Sequence, residues 1–187
     1  MNSVLAFALA LLTALTLTGE VRSQSAPFQP GPDEGLFLVV TDIHFDPFTV
    51  HSLVPQLDKS PVSGWPSIFE SSAGGNVASY GDDAGYILTQ SAVEAAAAQG
   101  MSYDYVLYTG DHLSHRFNDH YNRYAGGDPQ GVASFAIKTT QYVSQLLSDS
   151  LGGIPVFGVL GNEDSACGDY QVAPDDAYLA GVGTRWA

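Results

Sequence analysis

Three short apolar runs punctuate the chain, and each ends in polar residues. Leu36-Phe37-Leu38-Val39-Val40 leads into Thr41-Asp42-Ile43-His44, and Tyr105-Val106-Leu107-Tyr108 into Thr109-Gly110-Asp111. Pro155-Val156-Phe157-Gly158-Val159-Leu160 leads into Gly161-Asn162-Glu163-Asp164. Short continuous runs of branched and aromatic residues predict strands, the first with the look of a strand buried on both faces. Between the first two runs, an Ala-rich helix is predicted from about Gly85 to Gln99, capped by Asp82 or Asp83 and stopped by Gly100. A second helix starts at Asp128-Pro129, with a capping carboxylate and Pro at the first helical position. Behind it Val132, Phe135, Ala136, Thr139, Val143, Leu146 and Leu147 recur at helical spacing, and Gly152-Gly153 ends it. The order β-α-β-α-β, with right-handed crossovers, predicts an α/β fold on a mostly parallel sheet. From about Phe45 to Tyr80 there are Pro47, Pro55, Pro61, Pro66 and a Gly74-Gly75 pair but no period. That stretch reads as a long structureless segment, functional or mobile.

The N-terminus differs in character. Val4 to Leu17 is apolar apart from Thr and uncharged, too short to cross a bilayer of about 30 Å comfortably. Residues 1–23 are therefore expected to be a signal peptide, with small residues near Ser23 at the cleavage point, although no Lys or Arg precedes the apolar stretch. Gln24–Gly35, with Pro27, Pro30 and Pro32, reads as a flexible lead-in, and 36–187 as the folded domain. The expected location is secreted, or the lumen of an acidic compartment, with no transmembrane segment once the leader is removed.

Composition narrows the function. The 187 residues are 45% apolar and 14% charged, which suits one packed domain. Six Lys+Arg against twenty Asp+Glu give a net charge of −14. That excludes non-specific binding to nucleic acid or anionic membrane, which needs clustered positive charge. A lone Cys167 excludes an internal disulfide framework and any multi-Cys zinc cluster.

The chemistry lies at the strand ends. Open α/β sheets place ligands at the carboxyl ends of their strands. Asp42, His44, Asp111 and Asn162 offer oxygen and imidazole donors there, a set suited to Zn²⁺, Mn²⁺ or Fe. Gly110 and Gly161 let the backbone turn sharply and let a ligand approach closely. Each motif alone is more often a turn or a cap; repetition at three successive strand ends of one sheet is what points to a site.

In that order and placement, D-x-H, G-D and G-N resemble the calcineurin-like metallophosphoesterases, most closely the secreted acid sphingomyelinase-like phosphodiesterases, with the endopolyphosphatases as relatives. The run Phe37 to Asp46, the Tyr80-Gly81 pair, Tyr108-Thr109-Gly110-Asp111, and His115 four residues after Asp111 carry the likeness, which extends from about Leu36 to the end. The resemblance implies half of a four-layer α/β sandwich holding two divalent metal ions, zinc first, with manganese or iron as alternatives. Asp42 and His44 would hold one ion, Asp111 would bridge both, and Asn162 would hold the other. His115 matches a histidine that contacts phosphate and helps protonate the leaving group. The implied reaction is hydrolysis of a phosphodiester, in a small molecule or lipid head group, by a water that the two cations activate.

Two departures stand against that pattern. The family reads Gly-Asn-His at the third strand, whereas position 163 here is Glu. A carboxyl beside two cations is a poor proton donor and repels phosphate, so His115 is expected to carry the acid role and Glu163 to reduce or retune activity. The family also draws further histidine ligands from beyond the third strand, whereas the last histidine here is His120. The expectation is the N-terminal part of a longer enzyme, which alone may lack activity. An endopolyphosphatase-like activity and a non-catalytic acidic domain that binds cations or protein are the alternatives. His112 and His120 are expected to be solvated loop residues, His51 a loop residue that could reach the site, and Asp46 either a residue that orients a ligand side chain or a turn residue beside Pro47. Phe117, Tyr121 and Tyr124 are placed on the loop after Asp111.

Overall fold

The computed structural model describes residues 29–72, 78–126, 128–171, 173 and 177–186. The leader expectation, the Gly74-Gly75 pair and Ala187 lie outside them. Among the described residues no helix is long and apolar enough to cross a membrane.

The fold is mixed α/β. Three strands, β1 (Phe37–Val40), β2 (Tyr105–Tyr108) and β3 (Val156–Gly158), form one parallel sheet in the order β1-β2-β3. Six helices accompany it among the described residues: α1 (Val54–Lys59), α2 (Trp65–Ser71), α3 (Tyr86–Ala97), α4 (Phe117–Tyr124), α5 (Pro129–Ser150) and α6 (Ala177–Trp186). The expected stripe on α5 is the core face: Val132, Phe135, Ala136, Thr139, Val143 and Leu147 are buried, and Leu146 is half-buried.

Burial alternates along the strands, which corrects the expectation that the first strand is covered on both faces. Val106 and Tyr108 are buried and Leu38, Val40 and Val156 half-buried beneath the helices, which pack on one side, with α3 against α5. The opposite face carries Phe37 (48% exposed), Val39 (54%), Phe157 (53%) and Val159 (57%). Phe37 stacks on Tyr105 at 5.3 Å, and Tyr105 meets Phe157 edge-on at 5.7 Å. The strands are apolar on both faces, yet the described residues cover only one.

The stretch after β1 also departs from expectation. It holds α1, α2 and two short 3-10 turns, because its prolines begin helices instead of breaking them: Pro55 and Pro66 lie in the first turns of α1 and α2. These turns bury Val54, Leu57, Trp65, Ile68 and Phe69. Around Trp65 an aromatic cluster forms with Phe135, Tyr142 and Phe69, and extends through Phe48 to Phe117. Such a core holds the rim of the sheet from behind. Phe117 and Tyr121, expected on a loop, are buried on α4.

Candidate metal centre

Beyond their regular pairing the strands continue through the site. Thr109 N–H donates to the Val40 carbonyl, Asp42 N–H to Gly110 (3.1 Å), His44 N–H to Asp111 (3.0 Å) and Phe45 N–H to His112 (3.0 Å). The path is kept only by unusual backbone. Asp42 (φ 52°), His44 (φ 44°) and Asp111 (φ 54°) all adopt left-handed conformations, as does Arg116 beside His115. Residues other than glycine are uncommon there, although Asn, Asp and His tolerate it better than most, and such strain collects at functional sites. In a strand, alternate side chains face opposite ways; left-handed residues interrupt that alternation and turn these side chains to the rim.

Asp42, His44 and Asp111 offer ligand atoms within 4.8 Å of one another. His44 Nε2 lies 3.8 Å from Asp42 Oδ1 and 3.8 Å from Asp111 Oδ2. A tetrahedral zinc with bonds of about 2.0–2.1 Å spaces its ligands about 3.4 Å apart, so each His44–carboxylate pair needs a few tenths of an ångström of closure. His44 Nδ1–H donates to the Leu113 carbonyl at 3.1 Å, which leaves Nε2 as the coordinating nitrogen. Asp111 presents Oδ2 to this point while Oδ1 accepts the Glu163 N–H at 3.0 Å. The donor set fits a divalent cation, and these groups could hold one.

The third strand end is drawn in by two glycines, in a manner the sequence reading did not anticipate. A Cβ on Gly161 would lie 2.2 Å from Asp111 Oδ1, and one on Gly110 would lie 2.6 Å from the Gly161 nitrogen. The close approach these glycines permit is between two loops of the protein. Asn162 sits between Gly161 and Glu163, both of which touch Asp111, and its Nδ2 donates to Asp169 at 2.9 Å. That contact leaves its carbonyl oxygen for other duties.

Asp164 fastens the two loops together. Its side chain is fully buried and accepts four hydrogen bonds: from the backbone N–H of His112 (2.7 Å), Leu113 (3.0 Å) and Gly161 (2.9 Å), and from His112 Nδ1–H (2.8 Å). Burial pushes the Asp164 carboxyl up, but the His112 ring and these amides outweigh it and hold it below the usual range. His112 is thus no solvated loop residue; it is 0% exposed. Tyr108 adds a hydrogen bond from its hydroxyl to the Asp111 carbonyl at 3.2 Å.

His115 stacks on His44, ring centroids 4.3 Å apart and 18° between planes. Its proximity to Asp83 and His44 makes a second group of ligand-type residues. Both Asp83 oxygens accept hydrogen bonds from His115, which tie the trio together, and its ligand atoms, within 4.8 Å of one another, could also hold a cation. Glu163 is buried near both histidines; burial and Asp169 raise its carboxyl, while His115 and His44 pull the other way.

Other sequence candidates fall to supporting roles. Asp46 accepts the Phe48 N–H at 2.9 Å, the turn role, which was one of the two expected of it. His51 stacks on Tyr124 at 3.8 Å, and His120 meets Phe48 edge-on from α4, also not on a solvated loop. His51, His115, His120, Asp46, Asp82 and Asp83 line one groove beside the rim. No protein-family model matches the chain, and no curated protein matches it.

Proposed function

We propose that the protein is a secreted, metal-dependent phosphoesterase that hydrolyses a phosphodiester at the rim formed by Asp42, His44 and Asp111. The observation that carries this reading is the meeting of those three side chains, His44 Nε2 lying 3.8 Å from each carboxylate and all three ligand atoms within 4.8 Å of one another, each on a left-handed backbone. Asn162 completes the donor set from the third strand end. The proposed complement is two divalent ions, zinc first; bound there, they would supply Lewis acidity, and a water acidified enough to attack phosphorus near neutral pH.

The residues divide the remaining work. Asp42, His44 and Asp111 would hold the cation through His44 Nε2 and the two carboxylates. With a net charge of −14, an anionic substrate is accepted only where cations reverse the local field. His115, on the wall beside His44, donates its proton to the leaving oxygen. Glu163, next to Asn162, restrains the site by repelling phosphate.

The test is hydrolysis of bis(p-nitrophenyl) phosphate with added Zn²⁺ or Mn²⁺, for the protein and Asp111→Asn. Near-complete loss in the variant is expected. Equal rates in both, or cation binding without hydrolysis by either, would favour a non-catalytic cation-binding domain.

A further inference from the structure

The sequence offers Asp82 or Asp83 as a helix cap, yet the structure uses Asp83 otherwise. Helix α3 starts after Gly85, with no side-chain cap. Asp83 turns away and meets His115, 32 residues on, through both carboxylate oxygens. Oδ2 accepts the His115 backbone N–H at 2.7 Å, and Oδ1 accepts the ring Nδ1–H at 2.8 Å. Asp83 is mostly shielded (18% exposed) although its partner ring is open (58%).

The pairing is fixed by the backbone. Phe45 forms parallel bridges to Ala84 on one side and Leu113 on the other. Ala84 N–H donates to the His44 carbonyl at 3.1 Å, and Asp46 N–H donates to the Ala84 carbonyl at 2.9 Å. This three-chain extension of the sheet sets Asp83 beside Ala84 and His115 two residues past Leu113, with His44 next to the central Phe45. One register therefore places the carboxylate, the ring and the candidate ligand under it.

We propose that Asp83 is the positioning residue of His115: it keeps a proton on Nδ1, the Nδ1–H tautomer of the neutral ring, and the ring stacked over His44, so that Nε2 is the nitrogen that takes up a proton from water and hands it to the leaving oxygen. A free imidazole prefers the other tautomer and turns about its side-chain bonds. A carboxylate at Nδ1 removes both freedoms, as in carboxylate-oriented histidines generally. That this matters for turnover rests on the phosphoesterase reading; the tautomer and the ring position do not.

The experiment records ¹⁵N ring shifts of His115 in alkaline buffer, with and without Zn²⁺, beside bis(p-nitrophenyl) phosphate kinetics and Zn²⁺ titration. Wild type is expected to be Nδ1–H and Asp83→Ala to change to Nε2–H. In Asp83→Ala, kcat should fall on the order of 10- to 100-fold with KM and Zn²⁺ affinity changed less than about twofold. Asp83→Glu should restore part of the rate, and Asp83→Ala placed on His115→Ala should cost nothing more. A wild-type ring found as Nε2–H overturns the proposal even where no variant folds. So does an unchanged tautomer in Asp83→Ala, or the full loss recurring on the His115→Ala background. A tautomer switch in a protein that hydrolyses no phosphoester would uphold the positioning and sink the phosphoesterase reading instead.

Discussion

Replacing Asp164 by Ala tests whether the two site loops are fastened by one carboxylate. The side chain is 0% exposed and accepts hydrogen bonds from three backbone amides and one ring nitrogen, all between 2.7 and 3.0 Å. Hydrogen bonds to a charged group contribute about 1.5–3 kcal/mol each, so a plain sum exceeds about 6 kcal/mol. The carboxylate's own desolvation and water entering the vacated space offset part of this, leaving about 3–5 kcal/mol. Against a total stability of about 5–15 kcal/mol, that is a large fraction. At about 2–4 °C per kcal/mol for a chain of this size, Tm should fall by about 10 °C. Asp164→Asn should cost roughly half as much, because it keeps one accepting oxygen but sets an NH₂ against the Gly161 N–H. Urea unfolding followed by fluorescence of the buried Trp65 measures both. The sign with pH follows from the depressed carboxyl. Its stabilisation is complete above the unfolded value of about 3.9 and is lost as pH falls through the lower folded value, so wild type and Asp164→Asn should converge in acid. A loss under 1 kcal/mol in Asp164→Ala, or a gap that widens below pH 4, would refute the fastening argument.

Three further outcomes are expected. Gly161→Ala puts a methyl 2.2 Å from Asp111 Oδ1; it should weaken Zn²⁺ binding at least tenfold by calorimetry, and unchanged affinity would show that Asp111 is not a ligand. Glu163→His exchanges a phosphate-repelling group for a proton donor and should raise kcat about tenfold; an equal or lower rate would show that Glu163 does not restrain the site. Phe157→Lys, on the open sheet face, should reduce binding of a hydrophobic dye and self-association in sedimentation while leaving Tm within about 2 °C; a large drop in Tm would mean that the face is covered.

How far the sequence reveals this protein depends on the range of the interaction concerned. The three strands and α5 are legible because a continuous apolar run and a 3.6-residue stripe are local signals. The strand-end placement of Asp42, His44 and Asp111 follows from the same runs. The stretch from about Phe45 to Tyr80 is opaque in the sequence because proline reads alike as a breaker and as a helix start, and only burial of Trp65 and Phe69 decides between them. Helix α4 escaped because its sequence, Phe117–Tyr124, is mostly polar and shows just two buried positions. Pairings of Asp83 with His115 and of Asp164 with His112 span 32 and 52 residues and leave no local trace. The left-handed ligand backbones were also hidden, as Asp and His were read there only for their donor atoms.

Those backbones imply that chemistry and stability pull against each other at this rim. Asp42 is largely exposed, so little packing recommends an aspartate there, and glycine would relieve about 1 kcal/mol of conformational strain. Loss of the donor would therefore raise the melting temperature instead of lowering it. On the phosphoesterase reading, a lineage released from selection for activity would drift toward glycine at this position first, shedding its reaction while keeping its shape.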